Sequence, residues 1–382
     1  MNLQKHSGMT PLERHIEALT FGTPDRVPFK PGGPRESTLV RWRGEGLSAE
    51  RNWSDALCEA IGLERDVPED TLETGVSFRM IPEFEEKVLE HKNGHYIVQD
   101  WMGNITEISD EYDYTYIREA KDFVTRKWHK FPVETRADFE EMKKRYDSAD
   151  PARYGDDFKE RVRRLEGRDE AVRVFFPGPF WQIREWCGFE PLCMMLIEDP
   201  DFVREMAAFW RDFVSGTLRR LLDAGVVDHI VINEDMAYKE KSMISPAMTR
   251  EFIMPSWVRW TREAKEAGVA IIELDCDGKI DELIDLWIES GIDASSPMEV
   301  AAGNDINLYR DRFAKKLAFI GGVDKRSIAK GRGAIEKEIA RIAPVVADGG
   351  YIPGCDHGVP ADVSWPDFIN YARLLAEITG WL

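Results

Sequence analysis

The sequence has few cysteines and no long apolar run. Its 382 residues include 5 cysteines, an odd number without the spacing of a disulfide framework. No apolar run approaches the ~20 residues that a transmembrane helix requires, and residues 1–14 are polar, without the apolar stretch of a secretory signal. We therefore expect a protein of the reducing cytoplasm that neither spans nor enters a membrane.

Positive charge is also scarce. The chain has 51 basic against 70 acidic residues and a net charge of −19. Nucleic acids and anionic membranes bind basic surfaces, so we expect neither as a partner. An anionic small molecule remains compatible with this charge, because a local arginine cluster can dominate inside a pocket. The content of 43% hydrophobic and 32% charged residues is typical of a globular enzyme.

What the sequence does contain is a regular alternation of β-like and helix-like stretches from residue 171 onwards. Such alternation predicts a parallel sheet covered by helices. With an additional early strand near Val27, we predict an α/β fold, a (β/α)8 TIM barrel formed by a single domain over residues 1–382. Residues 36–65 are predicted to be an N-terminal helical elaboration. Short β-like runs around the turn Asn93-Gly94 predict a small antiparallel insertion at about 73–130.

Five polar clusters follow the predicted strands of the regular half. They are Asn233-Glu234-Asp235, Asp275-Cys276-Asp277-Gly278, Ser295-Ser296-Pro297-Met298-Glu299, Gly321-Gly322-Val323-Asp324-Lys325-Arg326 and Gly354-Cys355-Asp356-His357. In a parallel barrel the carboxyl ends of the strands meet at one mouth. The sequence therefore predicts an enzyme site there, with a small-molecule substrate.

Carboxylates dominate the first two clusters. Adjacent residues of an extended chain point to opposite sides, so at most one of Glu234 and Asp235 faces the pocket. Glu234 is predicted to be a metal ligand or a general base, and Asp235 a catalytic group or a cap of the next turn. Asp275 and Asp277 share one face and suit a bound cation or a shared proton, although capping of the following turn is an alternative.

The later clusters combine sulfur, imidazole and cations. Cys355 and His357 are good zinc ligands, and His357 is also predicted to be catalytic, as is Asp324. Lys325 and Arg326 follow two glycines that let a ligand approach the backbone, and with Arg35 they are predicted to bind an anionic substrate. The alternative for Lys325 and Arg326 is a helix start with solvated charges.

These motifs resemble those of the uroporphyrinogen decarboxylase superfamily. The resemblance is carried by Thr10-Pro11-Leu12-Glu13-Arg14, Asn233-Glu234-Asp235-Met236, Ser245-Pro246, Asp277-Gly278, Gly321-Gly322-Val323-Asp324-Lys325-Arg326 and Gly349-Gly350-Tyr351-Ile352. It covers nearly the whole chain and implies a barrel enzyme that is a decarboxylase or a cobamide-dependent methyltransferase.

The resemblance to the methyltransferase branch implies a metal site. That branch holds zinc with a His-x-Cys pair, a late cysteine and often an acidic residue. The matching positions are Asp275 and Asp277 for the pair, Cys355 for the late cysteine and Glu234 for the acidic residue. Two soft ligands are thus replaced by carboxylates, so the alternatives are weakly bound zinc, a harder divalent ion or no metal.

Three functions follow as hypotheses. The first is a one-carbon transferase that uses a corrinoid protein or tetrahydrofolate as methyl carrier. The second is a decarboxylase of uroporphyrinogen or another polycarboxylate, although residues 29–33 lack the arginine pair that this branch would require. The third is a non-catalytic protein that binds a cobamide or a partner subunit. A barrel with an antiparallel insertion also suggests a homodimer.

Overall fold

The computed structural model describes residues 8–63, 71–112 and 125–382. Its strands are β1 (Leu72–Glu73), β2 (Lys87–Lys92), β3 (His95–Gln99), β4 (Ile105–Ser109), β5 (Arg126–Lys130), β6 (Val172–Pro177), β7 (His229–Asn233), β8 (Ile271–Asp275), β9 (Ala294–Ser296), β10 (Ala318–Val323) and β11 (Tyr351–Cys355). Within these residues, one curled sheet has seven parallel strands in the order β1-β6-β7-β8-β9-β10-β11. The parallel α/β architecture is therefore confirmed.

Helices connect the parallel strands and cover the outer face of this sheet. They are α1 (Pro11–Leu19), α2 (Glu36–Gly44), α3 (Trp53–Ile61), α4 (Arg136–Lys143), α5 (Phe158–Leu165), α6 (Pro179–Cys187), α7 (Phe189–Glu198), α8 (Pro200–Ala224), α9 (Pro246–Met248), α10 (Met254–Glu266), α11 (Ile284–Ser290), α12 (Ile306–Phe313), α13 (Lys325–Ile328), α14 (Arg332–Asp348) and α15 (Trp365–Ile378). A π-helical turn at Thr249–Ile253 joins α9 to α10. No helix in the described ranges is long and apolar enough to cross a membrane.

The predicted strand near Val27 is wrong. In the described residues no strand closes the sheet between β11 and β1. Instead, an extended segment at residues 29–34 runs beside β11, where Pro31 O accepts a hydrogen bond from Cys355 N at 3.2 Å. The segment contains Pro31 and Pro34, which have no N–H group to donate to a ladder. Proline therefore explains why this segment is not a regular strand of the parallel sheet.

The antiparallel insertion is confirmed. Strands β2 to β5 form a separate four-stranded sheet, and Asn93 and Gly94 form its first hairpin turn with positive φ angles of 52° and 77°. Residues 113–124, which connect β4 to β5, lie outside the described part of the chain. The sheet packs beside α6 and α7 rather than extending the parallel sheet.

Local sequence signals explain where the first helix begins and what it covers. Thr10 caps α1 in a reciprocal capping box with Glu13, and Pro11 occupies the first turn. Ala18 and Leu19 of α1 pack against β8 to β11 through a small buried cluster that includes Ile271 and Ile352. Helix α1 thus closes the end of the sheet opposite to the carboxyl ends of its strands.

Candidate active site

The alternation of side chains along each strand divides the predicted site residues into two groups. On β8, Glu273 and Asp275 line an internal cavity of about 330 Å³, whereas Leu274 between them is in the hydrophobic core. The same alternation separates Glu234 from Asp235 after β7. One group therefore faces the interior and the mouth, and the other faces the layer of helices.

Glu234 belongs to the outer group. Its carboxyl group is completely buried and accepts hydrogen bonds from the Trp181 backbone N–H at 3.0 Å and from Trp257 Nε1 at 2.8 Å. Burial raises the pKa of Glu234 to about 8, although these two donors lower it. Glu234 thus satisfies the N-terminus of α6 as an internal cap, and both of its oxygens are occupied.

The raised pKa predicts how stability depends on pH. The unfolded chain releases the Glu234 proton near 4.5, whereas the folded protein holds it up to about 8. Between these values the folded state binds more protons, so the free energy of unfolding decreases as pH rises through this window. Urea denaturation at the two ends of the window measures the decrease, and Glu234→Gln is expected to flatten it.

Glu190→Gln is the matched control, since Glu190 is exposed on the surface. It is expected to leave the pH dependence of stability unchanged. Asp235 and Asp275 have pKa values raised to about 6 and about 7, so part of the slope remains in the Glu234 variant. Equal slopes for Glu234→Gln and the unmutated protein would contradict the prediction.

The inner group assembles at the mouth. Asp235 Oδ1 accepts the backbone N–H of Asp277 at 2.9 Å, which joins the ends of β7 and β8. Asp277 Oδ2 lies 3.5 Å from His357 Nε2, after β11. Arg35, from the segment before α2, brings its Nη2 to 3.1 Å from His357 Nδ1. Four residues that are distant in the sequence, Arg35, Asp235, Asp277 and His357, therefore converge.

The partners of His357 determine which ring nitrogen carries the proton. Nδ1 accepts the Gly358 N–H at 2.8 Å and also faces the guanidinium of Arg35. The neutral ring therefore has its proton on Nε2, directed at Asp277. The hydrogen bond with Asp277 raises the pKa of His357, while burial and the charges of Lys325 and Arg35 lower it. We infer that His357 orients the carboxylate of Asp277 as a hydrogen-bond donor.

Asp275 precedes Asp277 by two residues, at the end of β8, and is in contact with polar neighbours. Asn233 Nδ2 is 3.3 Å from its Oδ2, and Ser296 Oγ is 3.1 Å from its Oδ1. Ser296 also contacts Glu273. A hydroxyl group has one proton, so the second contact of Ser296 requires a proton on a carboxyl group. Burial, together with the charge of Glu273, raises the pKa of Asp275 to about 7, so Asp275 is the group that carries this proton.

A buried polar chain continues from this point to the far end of the sheet. Glu273 Oε2 lies 2.9 Å from His229 Nε2, and His229 Nδ1 lies 3.0 Å from His15 Nε2. Burial raises the pKa of Glu273, but the contacts with His229 and Ser296 outweigh it, so the net direction is down. Burial and His229 hold the pKa of His15 well below its usual range. A line of polar side chains therefore runs through the sheet interior from its floor to its mouth, beside apolar side chains such as Val231 and Ile352.

Cys355 does not belong to this group. Its side chain is buried between Gly32, where an added Cβ would lie 3.3 Å from the sulfur, and Tyr371 of α15, with which it is hydrogen-bonded. Burial raises the pKa of the Cys355 thiol far above its ordinary value, so it is a neutral thiol. The structure thus places Cys355 apart from the cluster at the mouth, where the sequence predicted a metal ligand.

The predicted four-ligand metal site is not assembled. Glu234 and Cys355 face the helix layer, whereas Asp275 and Asp277 face the interior and the mouth. In the ranges that the structure describes, no three His, Cys, Asp or Glu side chains are placed to hold one ion. The residues present therefore do not fit the zinc site that the family resemblance implied.

The residues after β10 mostly have structural partners. Asp324 caps α13, and both of its oxygens accept from Arg326, at 2.8 and 3.0 Å. Its carboxylate is thus engaged by Arg326 and by the start of α13, and a catalytic role for Asp324 stays a prediction. Lys325 Nζ lies 3.1 Å from Asp356, whose side chain is completely buried. Both cations are thus paired with a carboxylate at the start of α13, rather than solvated as the helix-start alternative implied.

The sequence analysis missed several residues that build this site. Glu273 and His15 are hidden inside a strand and a helix, and nothing in the linear sequence indicates that they touch the same histidine. Arg184 of α6 donates to the backbone oxygen of Asp235 at 3.1 Å and stacks 4.0 Å above the ring of Trp181. Only the alternation along β8 could have indicated Glu273, because it shares the face of Asp275.

Comparisons with solved structures agree with this fold. A methyltransferase from Methanosarcina mazei aligns over 97% of this chain and 98% of its own, with a TM-score of 0.55 and 15% identity. A B12-independent methionine synthase from Shewanella sp. W3-18-1 aligns over 57% of this chain and 65% of its own, with a TM-score of 0.33 and 13% identity. At these identities the first similarity concerns the fold alone, and the second carries no weight.

Sequence comparison adds the family. No curated protein matches the chain significantly. A family model described as uroporphyrinogen decarboxylase (URO-D) matches residues 126–369, a range that includes β5 to β11 and the carboxylates of the mouth. Because this match covers more than half of the 382 residues, the chain belongs to the uroporphyrinogen decarboxylase family.

Proposed function

We propose that the protein is a one-carbon transferase that moves a methyl group at the carboxyl-end mouth of its parallel sheet. The observation that carries this proposal is the acidic mouth, where Asp235, Asp275 and Asp277 lie together with a single imidazole, His357. Such a mouth suits a substrate that must lose a proton. The name of the Methanosarcina mazei neighbour supports the same chemistry.

The sign of the charge argues against a polycarboxylate substrate. A decarboxylase of such a substrate needs a positive pocket, because each carboxylate must be paired with a cation. Here Lys325 is paired with Asp356 and Arg326 with Asp324. Arg35 is the cation whose guanidinium contacts His357 at the mouth. The carboxylates of Asp235 and Asp277, near Arg35 and His357, would repel a polyanion.

Asp277 is the residue we assign as general base. It is partly exposed, with 42% of its side-chain surface accessible, and the Nε2 proton of His357 points at it. An acceptor with a thiol, hydroxyl or amine group would give its proton to Asp277 as its heteroatom attacks the methyl carbon. The new heteroatom–carbon bond forms while the bond from carbon to the carrier breaks, and the carrier keeps that electron pair.

Arg35 and His357 act through Asp277. Arg35 keeps the Nδ1 side of His357 free of a proton, which leaves Nε2–H to stabilise the carboxylate of Asp277 in a fixed orientation. Asp235 fixes the backbone of Asp277 through its N–H. Preorganisation of this kind lowers the barrier because the base does not have to be positioned during the reaction.

The proposed methyl carrier is tetrahydrofolate or the corrinoid of a partner protein. No step above depends on a metal ion, since the residues do not fit a zinc site. The deciding assay incubates the protein with a thiol acceptor and either 5-methyltetrahydrofolate or methylcobalamin, and measures the methyl thioether. We expect transfer from one of the two donors.

The decarboxylase alternative follows from the description of the matching family. A parallel reaction with uroporphyrinogen therefore measures release of carbon dioxide. Decarboxylation without methyl transfer would overturn the proposed function in favour of the alternative. Absence of both activities would favour a non-catalytic binding protein.

A further inference from the structure

A second large concavity lies between the antiparallel insertion and helices α6 and α7. It has a volume of about 1410 Å³ and is lined by residues of β5, of α6 and α7 and of the loop after β7. We propose that this groove binds the one-carbon carrier, as a planar nitrogen heterocycle with an acidic tail, of the reduced-pterin type. That the ligand carries the one-carbon group rests on the proposed function, whereas its chemical class is inferred from the residues that line the groove.

Aromatic rings and thioethers form the apolar part of the groove. Those that bear on the argument are Trp101, Met102, Trp128, Trp181, Met194 and Tyr238. Trp128, Met194 and Tyr238 are exposed, at 44%, 51% and 72% of their surface. Flat π surfaces and adaptable sulfur side chains favour a flat, conjugated ligand that stacks between them.

Glu185 gives the groove its polar specificity. Its carboxylate lines the groove and is largely withdrawn from water, and burial raises its pKa. Among the described residues no group donates a hydrogen bond to it, although the charges of Arg184 and Arg126 lower its pKa. A partly buried carboxylate without a donor suits a ligand edge that presents two adjacent N–H groups, as an amino-pyrimidine does.

Cations on β5 complete the recognition. Arg126, Lys127 and Lys130 line the same groove on the side of the insertion. Because the whole chain carries a net charge of −19, a local group of cations contrasts with the excess of acidic residues in the rest of the chain. Lys130 is paired with Glu134 at 3.6 Å, so Arg126 and Lys127 are the side chains that suit the carboxylates of an acidic tail, which would lie along β5 toward solvent.

The groove also connects to the mouth. Trp181 lines the groove with its side chain and holds Glu234 with its backbone N–H. Arg184, stacked on Trp181, donates to the backbone oxygen of Asp235. A heterocycle stacked on this pair therefore has its inner end next to the carboxylates at the ends of β7 and β8.

The test is binding of folic acid, followed by quenching of tryptophan fluorescence and by equilibrium dialysis. We expect binding to the intact protein, and Glu185→Gln is expected to weaken it by about 10- to 100-fold because a charge-assisted hydrogen-bond pair is lost. Met194→Glu places a like charge at the exposed rim and is expected to weaken binding without affecting folding. Glu198→Gln, which changes an exposed carboxylate of α7 outside the lining of the groove, is the matched control and is expected to bind as the unmutated protein does.

Three results would overturn the assignment. They are no binding at millimolar folic acid, equal affinity of the Glu185→Gln and unmutated proteins, and displacement of folic acid by methylcobalamin. The binding assay is independent of turnover. Folic acid binding that depends on Glu185, without methyl transfer from any donor, would therefore overturn the proposed function and support the groove assignment.

Discussion

Replacing Asp277 by asparagine is expected to lower kcat/KM for methyl transfer by about 10²- to 10⁴-fold. Asparagine keeps the shape of the side chain and its contact with His357, but its amide cannot accept a proton. The loss should lie in kcat rather than in KM, since the acceptor still binds. Steady-state kinetics of the two proteins at several acceptor concentrations separates kcat from KM.

Cys355→Ala provides the contrasting variant. Because the Cys355 thiol packs against Gly32 and Tyr371, its removal is expected to change kcat/KM only a few-fold. A metal site built on the thiolate would instead lose most of its activity in this variant. Full activity of Asp277→Asn, or inactivity of Cys355→Ala in a folded protein, would refute the assignment of the base.

Gly178→Ala is expected to lower the free energy of unfolding by about 3 kcal/mol or more. The backbone of Gly178, with φ −72° and ψ 170°, suits alanine, so no strain arises from the dihedral angles. A Cβ at this position would nevertheless lie 1.9 Å from Glu234 Oε2. Either Glu234 or the start of α6 must move, and the two hydrogen bonds to the buried carboxyl group are then lost.

Gly333→Ala is the control for this measurement. Gly333 lies in α14 with nothing within 4 Å of an added Cβ, so alanine is expected to raise stability by up to about 1 kcal/mol. Urea denaturation of the two variants gives both values. Equal stability of Gly178→Ala and the unmutated protein would mean that Glu234 is not confined as described.

The regular half of the fold was predictable, because each element there carries its own signal. The alternation predicted from residue 171 onwards begins with strand β6 and includes α8, whose end is marked by Gly225 in the left-handed region. Closure of the sheet was not predictable in the same way. The segment at 29–34 lies beside β11 through isolated contacts. Its prolines give no alternating hydrophobic pattern that would predict a strand.

The site was predictable only in part, for a geometric reason. Alternation along a strand indicates that Glu234 and Asp235 face opposite sides, but not which of them faces the mouth. That choice depends on Trp181 and Trp257, which enclose Glu234 and lie 53 and 23 residues away in the sequence. Asp324 is a carboxylate that follows a strand, as a catalytic residue would be. Only its bonds to Arg326 and to the start of α13 identify it as a cap.

The contact between His15 and His229 has a consequence for forms of the protein that lack the first helix. His15 is the point where the first helix of the chain joins the line of polar groups that ends beside Asp277. Cutting away that helix would let bulk water into the axis of the sheet and leave Glu273 and Asp275 to titrate as ordinary solvated acids. Removal of residues 8–19 would then alter the acidity of the carboxylates at the mouth without changing any residue there.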